Sequence, residues 1–252
     1  MTNMVPSLLR RSVLLITTLL VSFSPHVSAD ELVFNTEEYP PFNFSNSAGE
    51  TDGLSTRLLE AALEDANLSA TFRILPWARA YTEARLRGHH CVYSTARTPE
   101  RQYFFQWVGP LVETDWAAFA LADSNIHVTG IEELEGLRVG SFREDAVGHF
   151  VKNQGIPILL AAADRENILR LEAGLIDVWV SSETVAKYIA ADTGIAVKRL
   201  FTFNRVHLYL ACHPSVPKEV VSQLQSSLDT LRAEGRDERI RERVLEQWRW
   251  DP

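Results

Sequence analysis

The chain predicts an α/β protein built on mostly parallel sheets. Short apolar strands alternate with amphipathic helices along its length, and Gly or Pro stands at many of the junctions. Residues 31–35 alternate as a first strand. Residues 53–67 carry Leu54, Leu58, Leu59, Ala62, Leu63 and Ala66 at helical spacing, with Ser55 as the expected cap. Residues 71–75 read as a second strand, and Pro76-Trp77 opens a helix that runs to Leu86 and stops at Gly88. Cys91, Val92 and Tyr93 form a short apolar strand, and residues 116–122 are strand-like. A strand at 137–142 precedes a helix at 146–153, and a helix at 165–173 precedes a strand at 177–181. Helices are expected at 183–191, 218–234 and 237–248. A repeated βα period with short connections implies right-handed crossovers.

Arg10 and Arg11 precede an apolar run from Val13 to Phe23, and Val27-Ser28-Ala29 supplies the small residues of a cleavage site. Residues 1–29 therefore read as an export signal, the run being about half the roughly 20 residues a membrane-spanning helix needs. With no cysteine at the cleavage point, the mature chain is expected to begin near Asp30 as a soluble periplasmic protein. Cleavage moves the formal charge from -8 to -10. An acidic surface repels phosphate, and no basic stripe interleaved with aromatics offsets it, so nucleic acid is excluded as a partner. The remaining residues can bury one large core or two small ones, and no Pro/Ser/Gly-rich linker or repeat divides them.

Cys91 and Cys212 are the two cysteines, both in apolar strand-like runs. With His89, His90 and His213 they show no recognised metal-ligand spacing. No metal or cofactor is expected. Nor is there a Gly-rich phosphate loop, an HExxH sequence or a nucleophilic triad.

The most informative stretch is Ser94-Thr95-Ala96-Arg97-Thr98-Pro99-Glu100-Arg101, closing on Phe104-Phe105-Gln106-Trp107-Val108-Gly109-Pro110. It ends an apolar strand, turns at Thr98-Pro99, and sets Arg101 beside a block of aromatics. An arginine there offers a planar fork of donors to one carboxylate, at the end of a strand where open α/β sheets gather ligands. Tyr39-Pro40-Pro41-Phe42, Gly53-Leu54, Leu137-Arg138-Val139-Gly140 and Gly174-Leu175-Ile176-Asp177 accompany it in order. Together these five pieces resemble the periplasmic solute-binding proteins of the polar amino acid ABC uptake family.

The resemblance implies a two-lobed periplasmic-binding-protein fold of type II, with the ligand in a cleft between lobes joined by two strands. Residues 30–112 and 207–252 would form lobe 1 and residues 113–206 lobe 2. It further implies that the strand bearing Cys91 lies beside a returning strand bearing Cys212. Whether the two form a disulfide or stay as buried thiols is open, since neighbouring strands meet disulfide geometry only in some registers.

Residue by residue, Arg101 matches the arginine that grips a ligand carboxylate, with Arg97 in the same turn as its competitor for the role. Ser94 and Ala96 match ligand-touching positions, Ala96 through backbone alone. Tyr39 and Phe42 match an aromatic wall, with Trp77 as an additional candidate. Asp145 serves either as a helix cap or as a ligand contact. Amino-acid-binding members place an acid at positions matching Thr36 and Ser182, and this chain has neither. Glu37, Glu38, Glu113, Asp115 and Glu183 lie near enough to substitute. The expectation is a monomeric, non-enzymatic receptor for a small carboxylate-bearing solute, an amino acid or a relative, delivering it to an ABC permease. A sensory or orphan receptor is equally compatible. The rival from another class is a dehydratase acting on prephenate or arogenate, with Glu183 as its acid.

Overall fold

The computed structural model describes Met1 and residues 31–247; the export-signal reading and the extreme C-terminus lie outside the described residues. The first strands and helices are β1 (Leu32–Thr36), the short hairpin β2 (Phe44–Ser45) and β3 (Thr51–Asp52), α1 (Leu54–Ala66), β4 (Ala70–Ile74), α2 (Trp77–Leu86) and β5 (His90–Ala96). A long strand β6 (Gln106–Leu121) leads to β7 (Val139–Phe142), α3 (Ala146–Asn153), β8 (Ile158–Ala161), α4 (Arg165–Glu172), β9 (Val178–Ser182) and α5 (Glu183–Thr193). The equally long β10 (Val197–Cys212) returns to α6 (Lys218–Ala233) and α7 (Arg236–Gln247).

The strands lie in the order β4-β1-β5-β10-β6-β9-β7-β8. Each half repeats one plan. Parallel β4-β1-β5 is flanked by antiparallel β10, and parallel β8-β7-β9 is flanked by antiparallel β6. The long strands β6 and β10 pair with each other along their whole length, so each half has the other's flanking strand as its fifth member. β5 pairs β10 at Leu208 to Cys212, and β9 pairs β6 at Trp116 to Phe119. Between those contacts, Glu113 to Asp115 faces Arg205 to His207 as a ladder of two strands with no third strand on either side.

The recurring sequence pieces turn out to be contacts. The N–H groups of Leu54 and Ser55 donate to the carbonyls of Pro41 and Phe42 at 3.0 and 2.8 Å. Backbone therefore caps α1, and Ser55 is not the cap: its side chain makes no capping bond and is buried. Gly53 makes this possible, with φ 118° and an imagined Cβ only 2.5 Å from the Phe42 carbonyl oxygen. In the other half, the Arg138 guanidinium donates to both Asp177 carboxylate oxygens at 2.9 and 2.6 Å, and to the Gly174 carbonyl at 2.6 Å. This locks the start of β7 to the start of β9.

Cys91 and Cys212 sit directly opposite in the β5–β10 register and form a disulfide. The three-stranded half is thus stapled to the returning strand. The β2–β3 hairpin, β8, the first two thirds of β10, and the stretch of β6 before residue 116 went beyond the sequence expectation. β8 carries Leu159 and Leu160, both largely exposed at the edge of the sheet, so it shows no alternation to read.

Candidate functional site

The turn after β5 positions Arg101: its N–H and that of Gln102 both return to the Thr98 carbonyl, at 3.1 and 2.9 Å. Its side chain is carried inward and is only 6% exposed. The guanidinium carbon lies 4.9 Å from the Tyr81 ring centre and 5.5 Å from that of Trp77, rings a helical turn apart on α2. One amino group donates to the Glu144 carbonyl across the cleft. Among the described residues no carboxylate pairs with it within 4 Å, and burial depresses its affinity for a proton. A buried guanidinium that lacks a counter-ion is a receptor for one.

Trp77 Nε1 donates to the same Glu144 carbonyl at 2.9 Å. Glu144 adopts φ 61°, a left-handed conformation unusual for a residue with a side chain, and Ser94 opposite has φ 56°. The two halves therefore touch where the Trp77 and Arg101 side chains of one reach the Glu144 carbonyl of the other. The Ser94 hydroxyl bonds Asn43 and lies 2.9 Å from the Ser55 hydroxyl, so it is already engaged within the first half.

Arg101, Tyr39, Trp77, Ser94, Ala96, Asp145 and Glu37 surround one small cavity of about 20 Å³, together with Trp116, Ala146, Val147 and Leu208. That volume admits a water molecule but no amino acid, so the halves are drawn together. Two expected residues stand back from it. Phe42 is buried behind Tyr39, ring centres 5.9 Å apart, and Ser182 spends its hydroxyl on Thr114 at 2.6 Å and on Tyr39. Asp145 does both things considered for it: it caps α3, accepting from Gly148 N–H at 3.1 Å, and it faces the cavity.

The five acids near the cleft sort cleanly. Glu38 accepts from Ser45; Glu113 and Asp115 meet Arg205, Asp115 at 2.7 Å; Glu183 meets Lys187 at 2.8 Å and Arg199 at 2.7 Å. Only Glu37 lines the cavity. Part of its surface stays open toward that cavity, yet protein surrounds it. Burial, reinforced by Asp145 and Asp164, pushes its carboxyl well above the usual range, and Arg101 pulls the other way. Asp145 is raised by burial against hydrogen bonds from Ser141 and Gly148. Asp164, missed in the sequence, accepts from Trp179 Nε1 at 2.7 Å and from the Ser181 hydroxyl. Burial first and Asp145 second push it up to about 7.

A second chamber of about 630 Å³ opens on the other side of Arg101. Ala96, Arg101, Trp116 and Ala146 form the shared wall. Arg97 belongs to this outer chamber only, its Nε donating to Gln102 at 2.6 Å while its guanidinium faces the Trp107 and Tyr209 rings.

Two halves of one repeated topology, joined by long strands and meeting at a buried arginine with no carboxylate within 4 Å, define the class of two-lobed binding proteins. The model of the bacterial extracellular solute-binding proteins, family 3, matches residues 32–247, and the chain belongs to that family. Solved structures of similar fold include a histidine kinase sensor domain with similarity to periplasmic binding proteins (TM-score 0.80, 20% identity, 86% of this chain and 96% of that one). Another is the arginine-, lysine-, histidine-binding protein ArtJ of Geobacillus stearothermophilus (0.76, 16%, 85% and 94%). A third is a substrate-binding protein of an ABC uptake transporter from Streptococcus pneumoniae with bound histidine (0.76, 12%, 85% and 92%). No curated protein matches the chain.

Proposed function

We propose that this chain is a periplasmic receptor that closes two lobes on a small solute bearing both a carboxylate and a cationic group. The observation that carries the reading is Arg101, buried without a carboxylate partner, in the same cavity as Glu37 and Asp145. The carboxylate would take the Arg101 fork in place of the Glu144 carbonyl. The cation would stand between Glu37 and Asp145, one from each half, supplying the charge these acids lack. Glu37 thus fills the part that the absent acids at Thr36 and Ser182 leave open. The binding of arginine, lysine and histidine by ArtJ supports an amino acid or a close relative.

We place lobe 1 at residues 30–112 and 207–252 and lobe 2 at residues 113–206, with the hinge in the bare two-stranded ladder of Glu113–Asp115 and Arg205–His207. A ladder without third strands bends more easily than the sheets at its ends. Ligand contacts that exist only when the lobes meet would drive closure. Membership of the family supports delivery to a membrane permease. The likeness to a kinase sensor domain keeps a sensory role as the second reading. The dehydratase reading loses its named acid, since Glu183 is held by Lys187 and Arg199 outside the cavity.

The test is native mass spectrometry of protein taken from periplasmic extract, with the released solute identified. A solute carrying an amine and at least one carboxylate, absent from Arg101→Ala purified alongside, is the expected result. Equal occupancy of the variant would overturn the assignment.

A further inference from the structure

The inner cavity is faced by acids, and the outer chamber by two arginines with no carboxylate partner and by two acids, Glu100 and Glu144. Glu37 and Asp145 face the inner cavity, whereas Arg85 and Arg97 line the outer chamber, and Arg101 stands in the wall between. Eight arginines elsewhere are already held by acids. Arg57, Arg73, Arg79, Arg87, Arg138, Arg165, Arg199 and Arg205 all pair with a carboxylate within 4 Å. Among the described residues neither Arg85 nor Arg97 does; both lie over aromatic rings instead. Arg85 sits 4.2 Å from the centre of Phe104 and 5.8 Å from that of Tyr81. Of the chamber's own acids, Glu100 turns back on Thr98 and on its own backbone N–H, which hold it below the usual range, while Glu144 contributes its carbonyl to Arg101 and Trp77. The remaining walls are the rings of Tyr81, Phe104, Trp116 and Phe150, with His149, Asn153 and Asn204 between them.

We infer that the outer chamber is a subsite for an anionic tail, so that the solute is an amino acid extended by a substituent that ends in a second acid group. The inference rests on the proposed placement of the head group at Arg101. The head occupies the inner cavity as the Glu144 carbonyl yields, and the tail leaves past Arg101 into a space several times larger than an ordinary side chain requires. At about 630 Å³ the chamber is of the size that holds small ligands. Its aromatic walls take the body of the tail, and Arg85 and Arg97 take its terminal charge by forked, charge-assisted hydrogen bonds. Both arginines are exposed, so the gain is moderate and salt-sensitive.

Two probes isolate the tail. γ-Glutamylglycine and γ-glutamylethylamide share the head and the length, and differ in a terminal carboxylate against a methyl group. Calorimetric titration at low ionic strength should give γ-glutamylglycine an advantage of about fivefold to tenfold, the sum expected of two exposed charge contacts. Raising the salt should shrink that ratio, and the double variant Arg85→Gln, Arg97→Gln should bring it close to one. Equal binding of the two probes, or a ratio unchanged in the variant, overturns the inference while leaving the head-group reading intact. Failure of both probes and of glutamine to bind overturns the head-group reading, and the inference falls with it. Circular dichroism of the double variant checks that it is folded; both replaced side chains are exposed, so no core is disturbed.

Discussion

Around the two-stranded bridge, Asp115 and Glu183 each meet a cation and are held below the usual carboxylate range. Hydrogen bonding from Arg205 does this for Asp115; for Glu183, Lys187 and Arg199 outweigh the opposing effect of burial. Glu37 and Asp145 at the cavity, like Asp164 buried against Trp179 and Ser181, are raised, burial being the first cause in each case. The same side-chain chemistry thus serves two ends in one molecule. Acids that the fold has already paired hold strands together. Acids that the fold leaves facing a void, beside one arginine without a counter-ion, are waiting for charge from outside the chain.

The largest effect that could break this contrast is at Arg101. Arg101→Ala should cost roughly 2 to 5 kcal/mol of solute binding, because truncation strands a buried anion. Lysine should restore little, lacking the planar fork. Arg97→Ala, at the chamber mouth, should cost less because solvent screens it. Calorimetry with the co-purified solute measures all three.

Next comes Asp164. Its folded value of about 7 lies above the usual 3.8, so the folded state holds a proton that the unfolded chain has released. The contribution to stability is full below about pH 4 and is lost as pH rises toward 7, by at most about 4 kcal/mol. Asp164→Asn should flatten that slope in denaturant titrations across the same window. A slope unchanged by the substitution would show that Asp164 is ionised without penalty.

A smaller effect sharpens the comparison between lobes. The proposed closure would bring Glu37 and Asp145 together and so take up protons, and lower pH would then favour the closed form without ligand. Small-angle scattering should give a smaller radius of gyration at pH 5 than at pH 8, and Glu37→Gln should reduce the difference. The smallest effect belongs to the bridge: Asp115→Asn should leave the melting temperature at moderate salt essentially where it was, since exposed ion pairs contribute little.

Most of the architecture was legible because helices and parallel strands leave periodic signals, as in residues 53–67 and 137–142. β8 and the first part of β10 were not, since a short edge strand with Leu159 and Leu160 exposed and a strand mixing Lys198, Arg199, Asn204 and Arg205 with apolar residues lack alternation. Four of the five motif pieces proved to be two structural pairs: residues 39–42 with Gly53-Leu54, and Arg138 with Gly174 to Asp177. Of the five, the piece that carries Arg101 and the one that carries Tyr39 reach the cavity. The cysteine pairing depended on register, which the sequence does not display. Tyr81 could have been found, standing one helical turn after Trp77. Asp164 could not, because it reaches the cleft region only through the packing of α4 against β9.

The central claim is that the cleft acids act on the solute and the bridge acids on the scaffold. One calorimetric experiment separates them: titration of Glu37→Gln and Asp115→Asn with the same co-purified solute, at one pH and one salt concentration. The account predicts that Glu37→Gln binds at least tenfold more weakly, the loss of one charge-assisted contact in a buried site, while Asp115→Asn binds as the parent does. Parent-like binding by Glu37→Gln with weakened binding by Asp115→Asn would contradict it.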